Sequence, residues 1–211
     1  MISNIARLHL ALLVLLLAVA LLVTTLLFGP NTPEAKASLP PYCTRPSADI
    51  DLTAVAAYAE DVATGNPLYG KNATVQLPLA SLTKVMTTLT VWELLPENHV
   101  VTVTRDALLP EGASGLIENE AWTLDDLIDY TLMSSVNDGA RALALAAASE
   151  KGENLEWFID AMNEKAKNLK LSRTFFLNDT GLDISSTTAG AYGSAEDVAH
   201  LVSYAAFRAP R

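Results

Sequence analysis

The chain has 211 residues, half of them hydrophobic, and carries 14 basic against 24 acidic side chains. From Ser38 onward the balance is 12 basic to 23 acidic with no basic stripe, which excludes nucleic acid as a partner. Cys43 is the only cysteine, so an intrachain disulfide and a cysteine metal cluster are excluded as well.

Nineteen residues from Leu10 to Phe28 carry no charge and are nearly all Leu, Val and Ala. At about 1.5 Å per residue, a helix of this length just crosses a hydrocarbon core of roughly 30 Å. Arg7 precedes the run and no basic residue follows until Lys36, which keeps the N-terminus in the cytoplasm and sends the remainder across the membrane. Residues 1–28 therefore read as a single-pass anchor. Alternatively they are a signal cut near Ala35-Lys36-Ala37, which would release the rest as a secreted or periplasmic protein. Residues 29–48 are a stiff, proline-rich linker, and Cys43 within them reads as an incidental thiol.

Residues 49–211 read as one domain. The stretch 53–60 has strand character, 61–66 is a turn, and Pro67–Lys71 is the return strand. A helix opens at Ala80-Ser81, continues through Val85, Met86, Leu89 and Trp92, and stops before Pro96. Residues 99–104 alternate as a short strand. Thr123 caps the next helix, with Asp126 three residues on, and Asn137 or Asp138 is the expected cap of the one after it. Residues 153–169 place Leu155, Phe158, Ile159, Met162 and Ala166 on one face. Phe175–Asp183 is a glycine-containing loop, and Ser194 caps a last helix over 194–205. Strands followed mostly by helices make this an α/β or α+β fold, with two or three strands in view.

Chemistry enters at "A-S-L-T-K-V-M-T". Residues three apart on a helix share a face, so Ser81 and Lys84 can touch. A serine hydroxyl needs a base, and His9, His99 and His200 occupy unremarkable places. A desolvated lysine can supply one. The first turn of a helix also favours negative charge developing on Ser81. On spacing alone, a first-turn serine beside a solvated lysine is the preferred reading of the pair. Downstream, "S-V-N-D-G-A" sets Ser135 and Asn137 between two helices, where capping is the plain alternative. Trp92, Trp122 and Trp157 read as core or edge packing. Asp125, Asp126 and Asp129 read as helix-start electrostatics, and the sequons at Asn72 and Asn178 as turns.

Taken together, "A-T-G-N-P-L-Y", "A-S-L-T-K-V-M-T", "S-V-N-D-G-A" and "F-L-N-D-T-G-L-D" resemble the serine-type D-alanyl-D-alanine carboxypeptidases, the low-molecular-mass penicillin-binding proteins, from about Thr53 to the C-terminus. The resemblance implies a transpeptidase-like fold, a sheet plus a helical subdomain. Ser81 would be the acyl-ester nucleophile, Lys84 its base and Ser135 a proton shuttle, while Asn137 would bind the peptide and orient Lys84. The backbone N–H of Ser81 would help hold the oxyanion. It further implies a peptidoglycan stem peptide as substrate, β-lactams as inhibitors, and no metal or organic cofactor. Its third motif, K-T-G, has no counterpart, because no lysine follows Gly181. The chain is thus expected to lack the family's last strands. Two other readings stay open: a related acyl-serine enzyme (a β-lactamase or D,D-endopeptidase), and a non-catalytic, membrane-tethered wall-binding protein.

Overall fold

The computed structural model describes residues 52–112 and 114–208. The anchor, the linker and Cys43 lie outside them. Among the described residues no helix is long and apolar enough to cross a membrane.

Strand β1 (Ala57–Asp61) pairs antiparallel with β2 (Asn66–Lys71). The turn between them is held by the Asp61 carboxylate, which accepts from Ala63 N and Thr64 N. Thr53–Ala56, expected in the first strand, precede it. The short β3 (Leu77–Pro78) follows at the edge of a three-stranded sheet, where a proline removes no ladder bond. After a single 3-10 turn, Ala80–Leu82, comes helix α1 (Thr83–Leu94). Strand β4 (Val100–Thr102) pairs with β5 (Ala121–Thr123), and the chain continues into α2 (Leu124–Ser134), α3 (Asn137–Glu150) and α4 (Leu155–Asn168). Strands β6 (Phe175–Phe176) and β7 (Ala191–Gly193) complete the second sheet in the order β3-β7-β6, and α5 (Ala195–Arg208) ends the described chain. The architecture is mixed α/β, as expected, but the strands differ from expectation. Among the described residues, seven short strands in three small sheets replace the two or three foreseen, and Phe175-Phe176 are strand rather than loop.

Helix α1 is the centre of the packing. Val85 apart, every residue from Thr83 to Val91 is buried, so it has no solvent stripe; its exposed end carries Trp92, 36% open. Its sequence is rich in β-branched residues, which are modest helix formers. Burial overrides that preference, and two of the threonine hydroxyls satisfy themselves on the helix's own carbonyls. Thr88 Oγ1 donates to Lys84 O at 2.9 Å and Thr90 Oγ1 to Met86 O at 2.7 Å. Leu95 then takes an extended backbone ahead of Pro96, and the helix stops. Met86, Leu89 and Val91 share one core with Leu127, Leu143, Phe158 and Met162 from α2, α3 and α4. The Thr123 cap is present: its Oγ1 accepts from Asp126 N at 3.2 Å and its hydroxyl donates to the Asp126 carboxylate at 2.7 Å.

The cap expected at Asn137 or Asp138 is absent. Ser135 takes a left-handed backbone, φ 55°, and closes α2 through the Thr131 carbonyl. Val136 then occupies the cap position of α3 without a side-chain bond, so Asn137 already lies inside the first turn. Where α2 and α3 meet, Gly139 permits the contact, since a Cβ there would lie 2.3 Å from Thr131 Oγ1. Gly139→Ala should therefore lower stability by about 1–3 kcal/mol. In thermal unfolding, adding Thr131→Ala should recover most of the loss, whereas a raised melting temperature for Gly139→Ala alone would contradict this packing.

Candidate active site

The Ser81 hydroxyl stands just ahead of α1 and is exposed, whereas Lys84, one turn on, is 1% exposed. Lys84 Nζ donates to Ser81 Oγ at 3.0 Å and to the Thr180 carbonyl at 3.0 Å. No carboxylate among the described residues forms an ion pair with it. A buried ammonium without a contacting anion is unfavourable, and burial lowers the Lys84 pKa from its ordinary 10.5; the Asp179 carboxylate opposes that shift through space. An amine poised toward its neutral form, 3.0 Å from a solvent-facing hydroxyl, can take that hydroxyl's proton.

The lysine depends on a loop that folds against the turn carrying Ser81. Ala80 has φ 46°, a left-handed conformation that costs a residue with a Cβ about 1–3 kcal/mol. Its carbonyl lies against Gly181, φ 82°, where a Cβ would fall 1.9 Å from Ala80 O, so only glycine fits. Asn178 shapes the loop from within. Its Oδ1 accepts from Gly181 N at 2.7 Å and Thr180 N at 3.2 Å, and its Nδ2 donates to Leu182 O at 2.8 Å. Two helices clamp the same loop. Thr87 Oγ1 of α1 donates to Asp179 O at 2.7 Å, and Arg141 of α3 grips the Asp179 carboxylate with Nε at 2.7 Å and Nη2 at 2.9 Å.

Ser81 and Lys84 are thus brought together. Ser135 and Asn137 sit at the α2–α3 junction, and no hydrogen bond joins either of them to Ser81 or Lys84. Ser135 is exposed and its hydroxyl has no partner among the described residues. Instead of turning to Lys84, Asn137 Nδ2 donates to the Glu111 carbonyl at 2.7 Å. The loop it meets is tied down by Ser114, whose hydroxyl donates to Asp138 at 2.5 Å and whose carbonyl accepts from the Tyr130 hydroxyl. Thr180, Asp179 and Arg141 were not foreseen as parts of the site. The glycine loop is visible in the sequence, but its partner lies 38 positions away from Asp179 on another helix.

Lys84 also marks the protein's stability. Its folded pKa lies below the unfolded value, so between the two the unfolded chain holds the extra proton and stability rises with pH. The unfolding free energy of the wild type minus that of Lys84→Met should therefore increase on approaching pH 10.5 from below. A difference that is flat or falls with pH would contradict the buried-amine geometry.

Comparison with known proteins gives the family and the fold. Residues 43–210 match the Peptidase S11 family, described as D-alanyl-D-alanine carboxypeptidase. The chain is 34% identical over 142 residues to the D-alanyl-D-alanine carboxypeptidase DacF of Bacillus subtilis, covering 64% of this chain and 34% of that one. It is 30% identical over 166 residues to a D-alanyl-D-alanine endopeptidase of Pseudomonas aeruginosa, covering 77% of this chain and 52% of the relative. The chain thus spans about a third to a half of the curated relatives it matches. Among solved structures, the carboxypeptidase DacD of Francisella tularensis superposes with a TM-score of 0.69 at 28% identity, over 79% of this chain and 40% of that one. Penicillin-binding protein D2 of Listeria monocytogenes in its ampicillin-bound form gives a TM-score of 0.63 at 28% identity, over 78% and 66% of the two chains.

Proposed function

Since the chain belongs to the D-alanyl-D-alanine carboxypeptidase family, we propose that it is the part of a serine-type D-Ala-D-Ala peptidase that carries the nucleophile and its base. The observation that carries this reading is the exposed Ser81 hydroxyl hydrogen-bonded to a buried, anion-free Lys84.

In this reading Ser81 Oγ attacks the carbonyl carbon of the penultimate D-alanine in a stem peptide, while its proton passes to neutral Lys84 Nζ. The tetrahedral intermediate collapses with cleavage of the peptide C–N bond. The Lys84 ammonium passes its proton through the Ser135 hydroxyl to the departing amine, which restores the neutral lysine, and free D-alanine leaves. Water then attacks the acyl ester, gives up a proton to the restored amine, and releases the shortened peptide with Ser81 regenerated. The backbone N–H of Ser81, beside the start of α1, is offered to the oxyanion. Asn137 would contact the peptide backbone, for which its amide must leave the Glu111 carbonyl. Ampicillin, which is bound in the Listeria relative, would mimic the D-Ala-D-Ala end. The uncharged stretch 10–28 supports a place outside the cytoplasmic membrane, where such a substrate lies.

Endopeptidase activity on cross-linked muropeptides is the second reading, favoured by the curated endopeptidases of Pseudomonas aeruginosa and Escherichia coli among the relatives. Full-length protein exposed to benzylpenicillin should gain one penicilloyl mass mapped to Ser81. Ser81→Ala should gain none, and Lys84→Met should be acylated at least about a hundredfold more slowly. An unmodified intact mass after long exposure would sink the acyl-serine reading. Release of D-alanine from a pentapeptide, against cleavage of a cross-linked dimer, separates the two activities.

A further inference from the structure

The Arg141–Asp179 pair lies one step behind the lysine. Asp179 has a fully buried carboxylate, 0% exposed, and Arg141 is 21% exposed. The guanidinium meets it with two parallel bonds, a geometry that only arginine supplies. The carbonyl of the next residue, Thr180, is one of the two acceptors of the Lys84 ammonium. What holds Asp179 therefore holds an acceptor of Lys84, and what neutralises Asp179 changes the charge that Lys84 feels.

Other charged groups on the elements around α1 are engaged elsewhere. On α3, Asp138 is bonded to Ser114. On α2, Asp126 is bonded to Thr123, and Asp125 and Asp129 are exposed. On α4, Lys165 pairs with Glu93 at the far end of α1. On α5, Asp197 accepts from Arg173 N and Thr174, and His200 meets Glu60.

We propose that Arg141 is a positioning residue for the acylation step: by pairing with Asp179 it both fixes the Thr180 carbonyl against Lys84 and cancels the carboxylate that would otherwise hold Lys84 in its charged form. This rests on the reading of Ser81 as nucleophile and Lys84 as base. Burial alone pulls the lysine toward neutrality while Asp179 pulls it back, so an unpaired Asp179 would win more of that contest. A buried ion pair kept only for structure would be replaceable without touching the lysine.

The test is the pH dependence of Ser81 acylation by a fluorescent penicillin in full-length protein, with melting temperatures recorded beside it. The acid limb of the profile reports the loss of neutral Lys84. Arg141→Met should move that limb to higher pH by on the order of one unit, slowing acylation about tenfold on the limb. Asp179→Asn leaves the guanidinium without its anion and should move the limb the opposite way. The double variant should return it close to the wild-type position. Asp179→Asn is isosteric and keeps an acceptor for Arg141, so its direction decides the matter even if Arg141→Met does not fold. Limbs that stay in place, or that move the same way in both single variants, would overturn the proposal. Failure of the underlying reading looks different: the wild type is not acylated on Ser81, or Lys84→Met is acylated as fast.

Discussion

Everything in the site follows from putting one amine where no anion among the described residues touches it. Lys84 is buried in the interior side of α1, and charged groups tolerate such places only if something compensates. Here the compensation is two oxygen acceptors, the Ser81 hydroxyl and the Thr180 carbonyl, rather than a carboxylate. A contacting carboxylate would have made the lysine a comfortable, inert cation. With two neutral acceptors, burial shifts it toward the neutral form, the direction a base for Ser81 requires.

That arrangement dictates the surroundings. The second acceptor comes from a residue 96 positions away, so the 178–182 loop must be pressed against the start of α1. Close approach explains the strained Ala80 and the glycine at 181, and the internal bonds of Asn178 make the loop rigid enough to serve. It also explains why α1 is buried almost all round. A helix with a wet face could not keep its lysine dry, so α2, α3 and α4 enclose it, and Thr88 and Thr90 satisfy their hydroxyls locally.

Much of this is legible in the amino-acid sequence. The three-residue spacing of Ser81 and Lys84, the Thr123 cap, and the apolar face of α4 through Phe158, Met162 and Ala166 are local patterns, and local patterns survive folding. The misreadings have physical causes. Asn137 reads as a cap because it is a good one, but the left-handed Ser135 puts Val136 at the cap position and Asn137 inside the first turn of α3. Strands β5, β6 and β7 span two or three residues each, too few to show alternation. Asp179 and Arg141 carry no mutual signal, because a buried ion pair between a loop and a helix has no spacing rule.

The most direct measurement is the titration of Lys84 itself, by NMR of full-length protein labelled at the lysine side-chain ε position, with Lys84→Met assigning the resonance. A resonance that titrates clearly below 10.5, apart from the other lysines, is the predicted result. Titration at or above 10.5 would mean that Lys84 is an ordinary structural cation, and the serine beside it would have no base.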